Sequence, residues 1–186
     1  MSFYGQTKGT ELEKTIAQLA AGEAMGGMMY YALARIAKEF GLDDAADQFT
    51  EIGNQETNHA GFYATLNGRY PKDGDAFWNL VRGLSKAEYK GEGALNGLAA
   101  KLESMGLTEA AASVKEFALQ EKRHGELTQA ILEKYSPKPE GGAVEKKPVY
   151  VCPVCGFEYE GDLAREADGY KCPICSVPKQ SFILRE

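Results

Sequence analysis

The chain has 186 residues, of which 44% are hydrophobic and 26% charged, and it carries a formal net charge of −6. This composition excludes a disordered or fibrous protein and provides one core of about 130 to 150 residues with a small appendage. The acidic balance argues against nucleic-acid binding, which needs a basic face. No apolar run reaches the length of a membrane span and no secretion signal opens the chain, so we expect a cytoplasmic protein without a membrane partner.

Residues 10–135 are rich in Ala, Leu, Glu, Lys and Gln, and their apolar residues recur at spacings of three and four. This pattern predicts helices near residues 10–40, 43–66, 75–105 and 108–135. Gly41 and Gly106 are typical of helix C-termini, and Asp43 and Thr108 follow them as candidate N-caps of the next helices.

The helical region contains an internal repeat. Residues 16–59 align with residues 81–124 without a gap, with 13 identities in 44 positions. Such a repeat predicts two helical hairpins that are related by a pseudo-twofold axis and pack as a four-helix bundle.

Both histidines of the chain close an E-x-x-H motif, and an acidic residue lies 33 positions upstream of each motif glutamate. Residues i and i+3 share one helix face, so each Glu and His pair can reach a common point. Four carboxylates and two imidazoles that face inward are a typical ligand set for two iron or manganese ions. A solvated helix face would tolerate the same residues, but it does not explain their symmetric positions. We therefore predict a dimetal site, with bridging by the two motif glutamates, at Glu23, Glu56, His59, Glu88, Glu121 and His124.

All four cysteines lie in the last 35 residues, as two C-x-x-C pairs that are 16 residues apart. In a reducing compartment this pattern indicates four thiolates on one metal ion, and the geometry suits iron and zinc equally. The predicted ligands are Cys152, Cys155, Cys172 and Cys175. We expect an aromatic shell around this site from Tyr150, Phe157, Tyr159, Tyr170 and Phe182.

The residue after the second cysteine of each pair must adopt a left-handed backbone conformation to turn its amide toward the sulfurs. Gly156 does so without strain, whereas Ser176 is less suited to it.

Composition divides the chain into a helical domain at residues 1–136, a Pro- and Gly-rich linker at 137–148 and a four-cysteine domain at 149–186. About 12 linker residues span up to about 40 Å when extended. The four-cysteine domain could therefore dock on a neighbouring subunit, and we expect that arrangement.

The order Glu…E-x-x-H…Glu…E-x-x-H, followed by C-P-x-C…C-P-x-C, resembles the rubrerythrins over about residues 10–184. The resemblance implies an all-α, ferritin-like four-helix bundle followed by a small rubredoxin-like domain of short β-hairpins and loops. It also implies a non-haem di-iron peroxidase that reduces hydrogen peroxide to water and protects against oxidative stress. Electrons would be relayed through a rubredoxin-like iron on the four cysteines.

The resemblance extends to cofactors and partners. The cofactors are a di-iron centre, in which manganese or zinc can replace iron, and one iron, or zinc, on the four cysteines. The partners are hydrogen peroxide, a rubredoxin or NAD(P)H-dependent rubredoxin reductase, and further copies of the chain in a homodimer or higher homo-oligomer.

Two features depart from the rubrerythrin pattern. Gly91 stands where rubrerythrins usually carry an additional glutamate, and a shifted register would make Glu92, rather than Glu88, the third-helix ligand. The spacing between the C-x-x-C pairs is also longer than is common in the family.

Two other functions fit the same residues. A ferritin-like ferroxidase or iron-handling protein would use the helical site with oxygen and carry a structural zinc tail. A di-iron oxygenase would act on an organic substrate that the sequence does not identify.

Overall fold

The computed structural model describes residues 2–137 and 147–185, so most of the predicted linker lies outside the described residues. Four long helices are followed by a small four-cysteine module with short strands, which confirms the predicted fold class. The helices begin and end within a few residues of the predicted positions. They are α1 (Glu13–Glu39), α2 (Asp43–Leu66), α3 (Gly74–Ser104) and α4 (Thr108–Tyr135).

The chain forms two compact units, Met1–Lys72 and Asp73–Glu186. The first contains the α1–α2 hairpin, whose helices approach closely because small residues line their contact. Ala34, Ala37 and Ala46 are buried there against Phe49. At Gly27 an added Cβ would lie 2.7 Å from Oγ1 of Thr57, so this position admits no side chain.

The second unit contains the α3–α4 hairpin, in which α3 and α4 pack along their length. Ala99, Ala111 and Ala118 are buried between the helices. The ring of Tyr89 lies 3.0 Å from the position that a Cβ at Gly125 would take. Small residues on α4 therefore make room for large side chains on α3. Small residues likewise allow α1 and α2 to approach each other in the first hairpin.

The turn between α1 and α2 differs from the predicted capping. Gly41 is left-handed, with φ +70°, as expected for a residue after a helix C-terminus. The N–H of Leu42 then bonds to the carbonyl of Ala37 at 2.9 Å, so Leu42 itself occupies the N-cap position. Asp43 is the first helical residue and not the predicted cap, because this tight turn uses one residue fewer. The same shift occurs before α4, at Gly106, Leu107 and Thr108.

The four-cysteine module is built on a small antiparallel sheet of β1 (Val149–Val151), β2 (Glu158–Glu160) and β3 (Ile183–Leu184), in the order β2-β1-β3. Two short 3₁₀ turns lie at Leu163–Arg165 and Lys179–Ser181.

The module packs on α3 of its own chain. Leu80 of α3 packs against the buried cluster that contains Phe157, and Lys86 and Lys90 form ion pairs with Glu158 of β2. The α3–α4 hairpin and the module therefore belong to one compact unit.

Within the described ranges, no helix combines the length and the apolar character needed to cross a membrane.

Candidate metal centres

The first hairpin brings together Glu23 of α1 with Glu56 and His59 of α2, here called the α1–α2 carboxylate group. One ligand atom from each side chain lies within 4.8 Å of the others. Nδ1 of His59 lies 3.5 Å from Oε2 of Glu23. The i, i+3 spacing of the motif points both α2 side chains toward α1, as expected.

The second hairpin repeats this geometry with Glu88 of α3 and with Glu121 and His124 of α4, the α3–α4 carboxylate group. Its ligand atoms also lie within 4.8 Å of one another. Nδ1 of His124 lies 3.3 Å from Oε2 of Glu88, and both motif histidines are 53% exposed. The internal repeat of the sequence therefore corresponds to a repeated site.

Each carboxylate group has a glycine beside its motif glutamate. A Cβ added at Gly26 would lie 3.2 Å from Oε2 of Glu56, and one added at Gly91 would lie 2.7 Å from Oε2 of Glu121. The glycines leave the space in which the two carboxylates turn toward the other ligands.

The donors in each group fit a metal ion of the iron or manganese type. A hydrogen bond with Glu23 raises the pKa of Glu56, and burial together with a hydrogen bond to Glu88 raises the pKa of Glu121. Carboxylates this close repel each other when both are ionised. A cation removes that repulsion, and oxygen and imidazole ligands suit iron or manganese.

The predicted ligands Glu88 and Glu92 do not lie equally close to the motif residues of α4. The α3–α4 carboxylate group contains Glu88, and Glu92 lies outside it. The ungapped register of the repeat therefore agrees with the geometry.

The four cysteines of the module converge on one point. Sγ of Cys152 lies 3.5 Å from Sγ of Cys175, Sγ of Cys155 lies 3.5 Å from Sγ of Cys172, and all four sulfurs are within 4.8 Å of one another. These distances are far longer than a disulfide bond of about 2.05 Å. They are close to the edge of about 3.8 Å in a tetrahedron with metal–sulfur bonds of about 2.3 Å.

The electrostatics of the four-cysteine group also fit a cation. Burial raises the pKa of the Cys152 thiol, but backbone N–H groups of Cys155 and Val154 outweigh it and hold the pKa below its usual value. Burial raises the pKa values of Cys155 and Cys172. The site therefore favours a first thiolate and resists further ones until a metal ion balances their charge.

The two C-x-x-C turns share one backbone geometry. The N–H of Gly156 bonds to the carbonyl of Cys152 at 3.0 Å, and the N–H of Ser176 bonds to that of Cys172 at 2.9 Å. Gly156 has φ +75° and Ser176 φ +62°, so the serine does adopt the left-handed conformation.

The predicted aromatic residues form a run of ring contacts in the module. Tyr159 contacts both Tyr150 and Tyr170, and Tyr170 in turn contacts Phe182. Phe157 is 3% exposed and packs with Cys152 and Cys172. Tyr159 and Phe182 also pack against this cluster, in which both cysteines are 1% exposed.

Sequence reasoning misses a charged cluster where the module meets α3, consisting of Lys86, Lys90, Glu158 and Arg185. The Glu158 side chain is 2% exposed, and all three cations lie within 3.0 Å of its carboxylate oxygens. The signal that could have found the lysines is a break in the internal repeat, because Ala21 and Met25 stand at the matching positions of α1.

Comparison with known proteins gives two matches in sequence. Residues 150–183 match the family model of the rubrerythrin rubredoxin-like domain. An uncharacterised protein of Methanocaldococcus jannaschii is 30% identical over 131 residues, which cover 70% of this chain and 91% of that protein.

Structures of nigerythrin in its mixed-valence and fully reduced, all-ferrous states are 22% and 23% identical to this chain. Each match covers 100% of this chain and 94% of the nigerythrin chain, with TM-scores of 0.33 and 0.32. The assignment rests on the two sequence matches. This chain belongs to one family with the M. jannaschii protein, and with its rubredoxin-like domain it is a rubrerythrin-like protein.

Proposed function

We propose that this protein is a peroxidase that reduces hydrogen peroxide to water and thereby protects against oxidative stress. The observation that carries the proposal is the presence, in one chain, of two matched carboxylate–histidine groups and a four-cysteine group. The rubrerythrin-like assignment supports the same function.

The six residues Glu23, Glu56, His59, Glu88, Glu121 and His124 would hold two iron ions, one in each carboxylate group. Ferrous ions held there would supply the two electrons that, with two protons, convert one hydrogen peroxide molecule into two water molecules. The half-exposed imidazoles of His59 and His124 leave the ligands accessible to a molecule as small as peroxide. Gly26 and Gly91 keep the space beside the motif carboxylates open.

The four cysteines would hold one further iron ion, which would supply electrons one at a time. The turns that carry these cysteines expose Val154 (68%) and Ile174 (41%) next to the ligands. An apolar surface of this kind suits transient docking of an electron donor. We propose a rubredoxin or an NAD(P)H-dependent rubredoxin reductase as that donor.

The remaining partner and location expectations belong to the same proposal. We propose that the protein acts in the cytoplasm as a homodimer or higher homo-oligomer. Sedimentation equilibrium of the iron-loaded protein measures the oligomeric state directly, and a monomer at all concentrations would contradict this part.

The test of the function compares two oxidants on the reduced, iron-loaded protein. The protein is reduced without oxygen, and one equivalent of hydrogen peroxide or of oxygen is added in parallel. The visible bands of ferric thiolate and of diferric iron are followed in time.

A peroxidase with an internal relay develops both sets of bands rapidly with peroxide and slowly with oxygen. Fast oxidation by oxygen without ferric-thiolate bands would overturn the proposal and favour a ferroxidase with a zinc-bound module.

A further inference from the structure

The charged cluster at the contact between α3 and the module lies next to one of the metal ligands. Nζ of Lys90 donates a hydrogen bond of 3.0 Å to the carbonyl of Gly156, the residue that directly follows Cys155. The aliphatic part of the lysine lies against the same turn, because a Cβ added at Gly156 would be 2.8 Å from its Cδ. A positive charge from α3 is therefore held beside the backbone that positions Cys155.

Close packing fixes the place of this charge. A Cβ at Gly83 would collide with the ring of Phe157 and would lie 2.8 Å from the carbonyl oxygen of Glu158, so only glycine permits this approach. Leu80 packs against the buried cluster that contains Phe157 and two of the cysteines. The separation between α3 and the four-cysteine group is therefore set by buried contacts, and not by flexible side chains alone.

The contact carries an excess of positive charge. Nζ of Lys90 lies 2.9 Å and Nζ of Lys86 lies 3.0 Å from the carboxylate of Glu158, which Arg185 also approaches to 2.8 Å. Glu160 adds a second carboxylate, 2.8 Å from Lys86. Three cations against two carboxylates leave a net positive charge. Because the Glu158 side chain is 2% exposed, water and salt screen its pairs poorly.

The internal repeat shows that the two lysines are an addition to the helical metal-ligand pattern. Glu88 has an identical counterpart in α1, whereas Ala21 and Met25 stand at the positions of Lys86 and Lys90. The first hairpin thus brings its three ligands together without these cations. The contacts of the lysines are with the module, and their effect is expected there.

A charge near a metal–thiolate site shifts the reduction potential of the site. Reduction of an iron ion from ferric to ferrous adds one negative charge to a group that already contains four thiolates. A cation close to the sulfurs stabilises the added charge, and a carboxylate destabilises it. The lysines and Glu158 therefore act on one potential in opposite directions.

We propose that Lys90 and Lys86 raise the reduction potential of an iron ion held by the four cysteines, and that Glu158 opposes them. The net positive charge makes the ferrous state of the module easier to reach. The step is a one-electron reduction by the donor proposed above, in which no bond forms or breaks and no proton is taken up. The inference rests on the proposed function for the presence of iron in the module, whereas the positions of the charges do not depend on it.

A redox titration of the full, iron-loaded protein tests the inference. The protein is reduced stepwise under nitrogen with dithionite and redox mediators, and the visible absorption of the ferric thiolate is followed. The test variants are Lys90→Met, which has the residue of the first repeat, Lys86→Met, and Glu158→Gln. The controls are Lys90→Arg, which keeps the charge, and Lys101→Met, which removes an exposed lysine farther along α3.

We expect Lys90→Met to shift the equilibrium against reduction by at least about threefold, a fall of about 28 mV, since a tenfold change corresponds to about 59 mV. Lys86→Met should shift the potential in the same direction, and Glu158→Gln should raise it. Lys90→Arg and Lys101→Met should leave the potential unchanged. Metal analysis establishes that each variant retains its module iron.

The signs of the shifts distinguish charge from structure. Simple displacement of the module would move the potentials of Lys90→Met and Glu158→Gln in the same direction, whereas an effect of charge moves them in opposite directions. Equal signs in these two variants, or an unchanged or raised potential in Lys90→Met, would overturn the inference.

Failure of the proposed function has a different outcome. If the potentials shift as expected but peroxide does not oxidise the reduced protein, the peroxidase function fails and this inference stands. If the module binds no iron and shows no ferric thiolate absorption, both fail.

Discussion

At the scale of single residues, the two cysteine turns have the same backbone geometry but different occupants at the left-handed position. A residue with a Cβ pays about 1 kcal/mol or more in this conformation, and glycine does not. Gly156 also faces Lys90, because an added Cβ would lie 2.8 Å from Cδ of that lysine. The first turn is thus constrained by α3 as well as by its own backbone.

We expect Ser176→Gly to stabilise the module by about 0.5 to 1 kcal/mol and Gly156→Ser to destabilise it by about 1 to 2 kcal/mol. The measurement is the urea concentration at which the thiolate–metal absorption is lost. Shifts of the same sign in both variants would show that the left-handed conformation does not control stability here.

In the carboxylate groups, a single added Cβ atom should change the binding of a metal ion. In Gly91→Ala the new Cβ would lie 2.7 Å from Oε2 of Glu121, and we expect about tenfold weaker Co²⁺ binding at this site. Anaerobic titration measures it after the four-cysteine site has been filled. Gly26→Ala, at 3.2 Å from Glu56, should have a smaller effect.

Gly97→Ala on the same helix serves as the control, since the described residues leave open space around a Cβ at that position. It should bind Co²⁺ normally and gain about 0.5 to 1 kcal/mol of helix stability. Equal binding by Gly91→Ala and Gly97→Ala would contradict a positioning role for the glycine.

At the scale of elements, α3 has two functional faces. One face carries Glu88 toward α4, and the opposite face carries Lys86 and Lys90 against β2. The β2 residue Glu158 is buried beneath three cations. Burial raises its pKa, but hydrogen bonds from Lys90 and Lys86 outweigh burial, so the pKa lies below its usual value.

A carboxylate with a lowered folded-state pKa stabilises the protein at pH values above its unfolded pKa, and this contribution is lost as the pH falls through the folded value. We therefore expect Glu158→Gln to be less stable than the unmodified protein by about 1.5 to 3 kcal/mol at pH 7. The difference should shrink as the pH falls below about 4.5. Urea unfolding of both proteins at several values from about pH 3 to about pH 7 measures this difference in stability, because that range spans the ordinary pKa of a glutamate.

The unmodified protein and Glu158→Gln have the same metal sites. Any loss of stability from protonation of those sites is therefore equal in both proteins and does not affect the difference. A stability difference that stays constant down to the lowest pH would show that Glu158 does not act through its charge.

At the scale of the whole molecule, the proposed function needs two kinds of site, the carboxylate groups that would react with peroxide and the four-cysteine group that would resupply their electrons. Loss of the thiolate site should therefore abolish turnover without abolishing the first reaction. We expect Cys155→Ser/Cys172→Ser, loaded with iron at the carboxylate groups, to reduce one equivalent of peroxide at a normal rate. Steady-state consumption of peroxide with a reductase should fall at least about tenfold.

Stopped-flow absorption for the first turnover and a peroxide electrode for the steady state separate the two effects. A steady-state rate equal to that of the unmodified protein would show that electrons reach the carboxylate groups without the module.

The sequence by itself determined the helices, the fold class and which residues converge in the candidate metal groups, because each depends on local spacing. Apolar periodicity defines a helix, i, i+3 spacing places Glu56 with His59, and C-x-x-C pairs converge on one ion. The N-caps that the sequence predicted at Asp43 and Thr108 were wrong by one residue. The length of each glycine turn depends on hydrogen bonds between residues on both sides of it, which the sequence does not show.

Only the tertiary structure shows that Glu88, and not Glu92, lies with Glu121 and His124, and only it places the module against α3. Both carboxylates lie on one helix, and which of them meets His124 depends on how α3 is rotated against α4. The contact of Lys90 with Glu158 joins residues 68 positions apart. Such contacts arise from complementary shape and charge between surfaces, which no local pattern in the chain encodes.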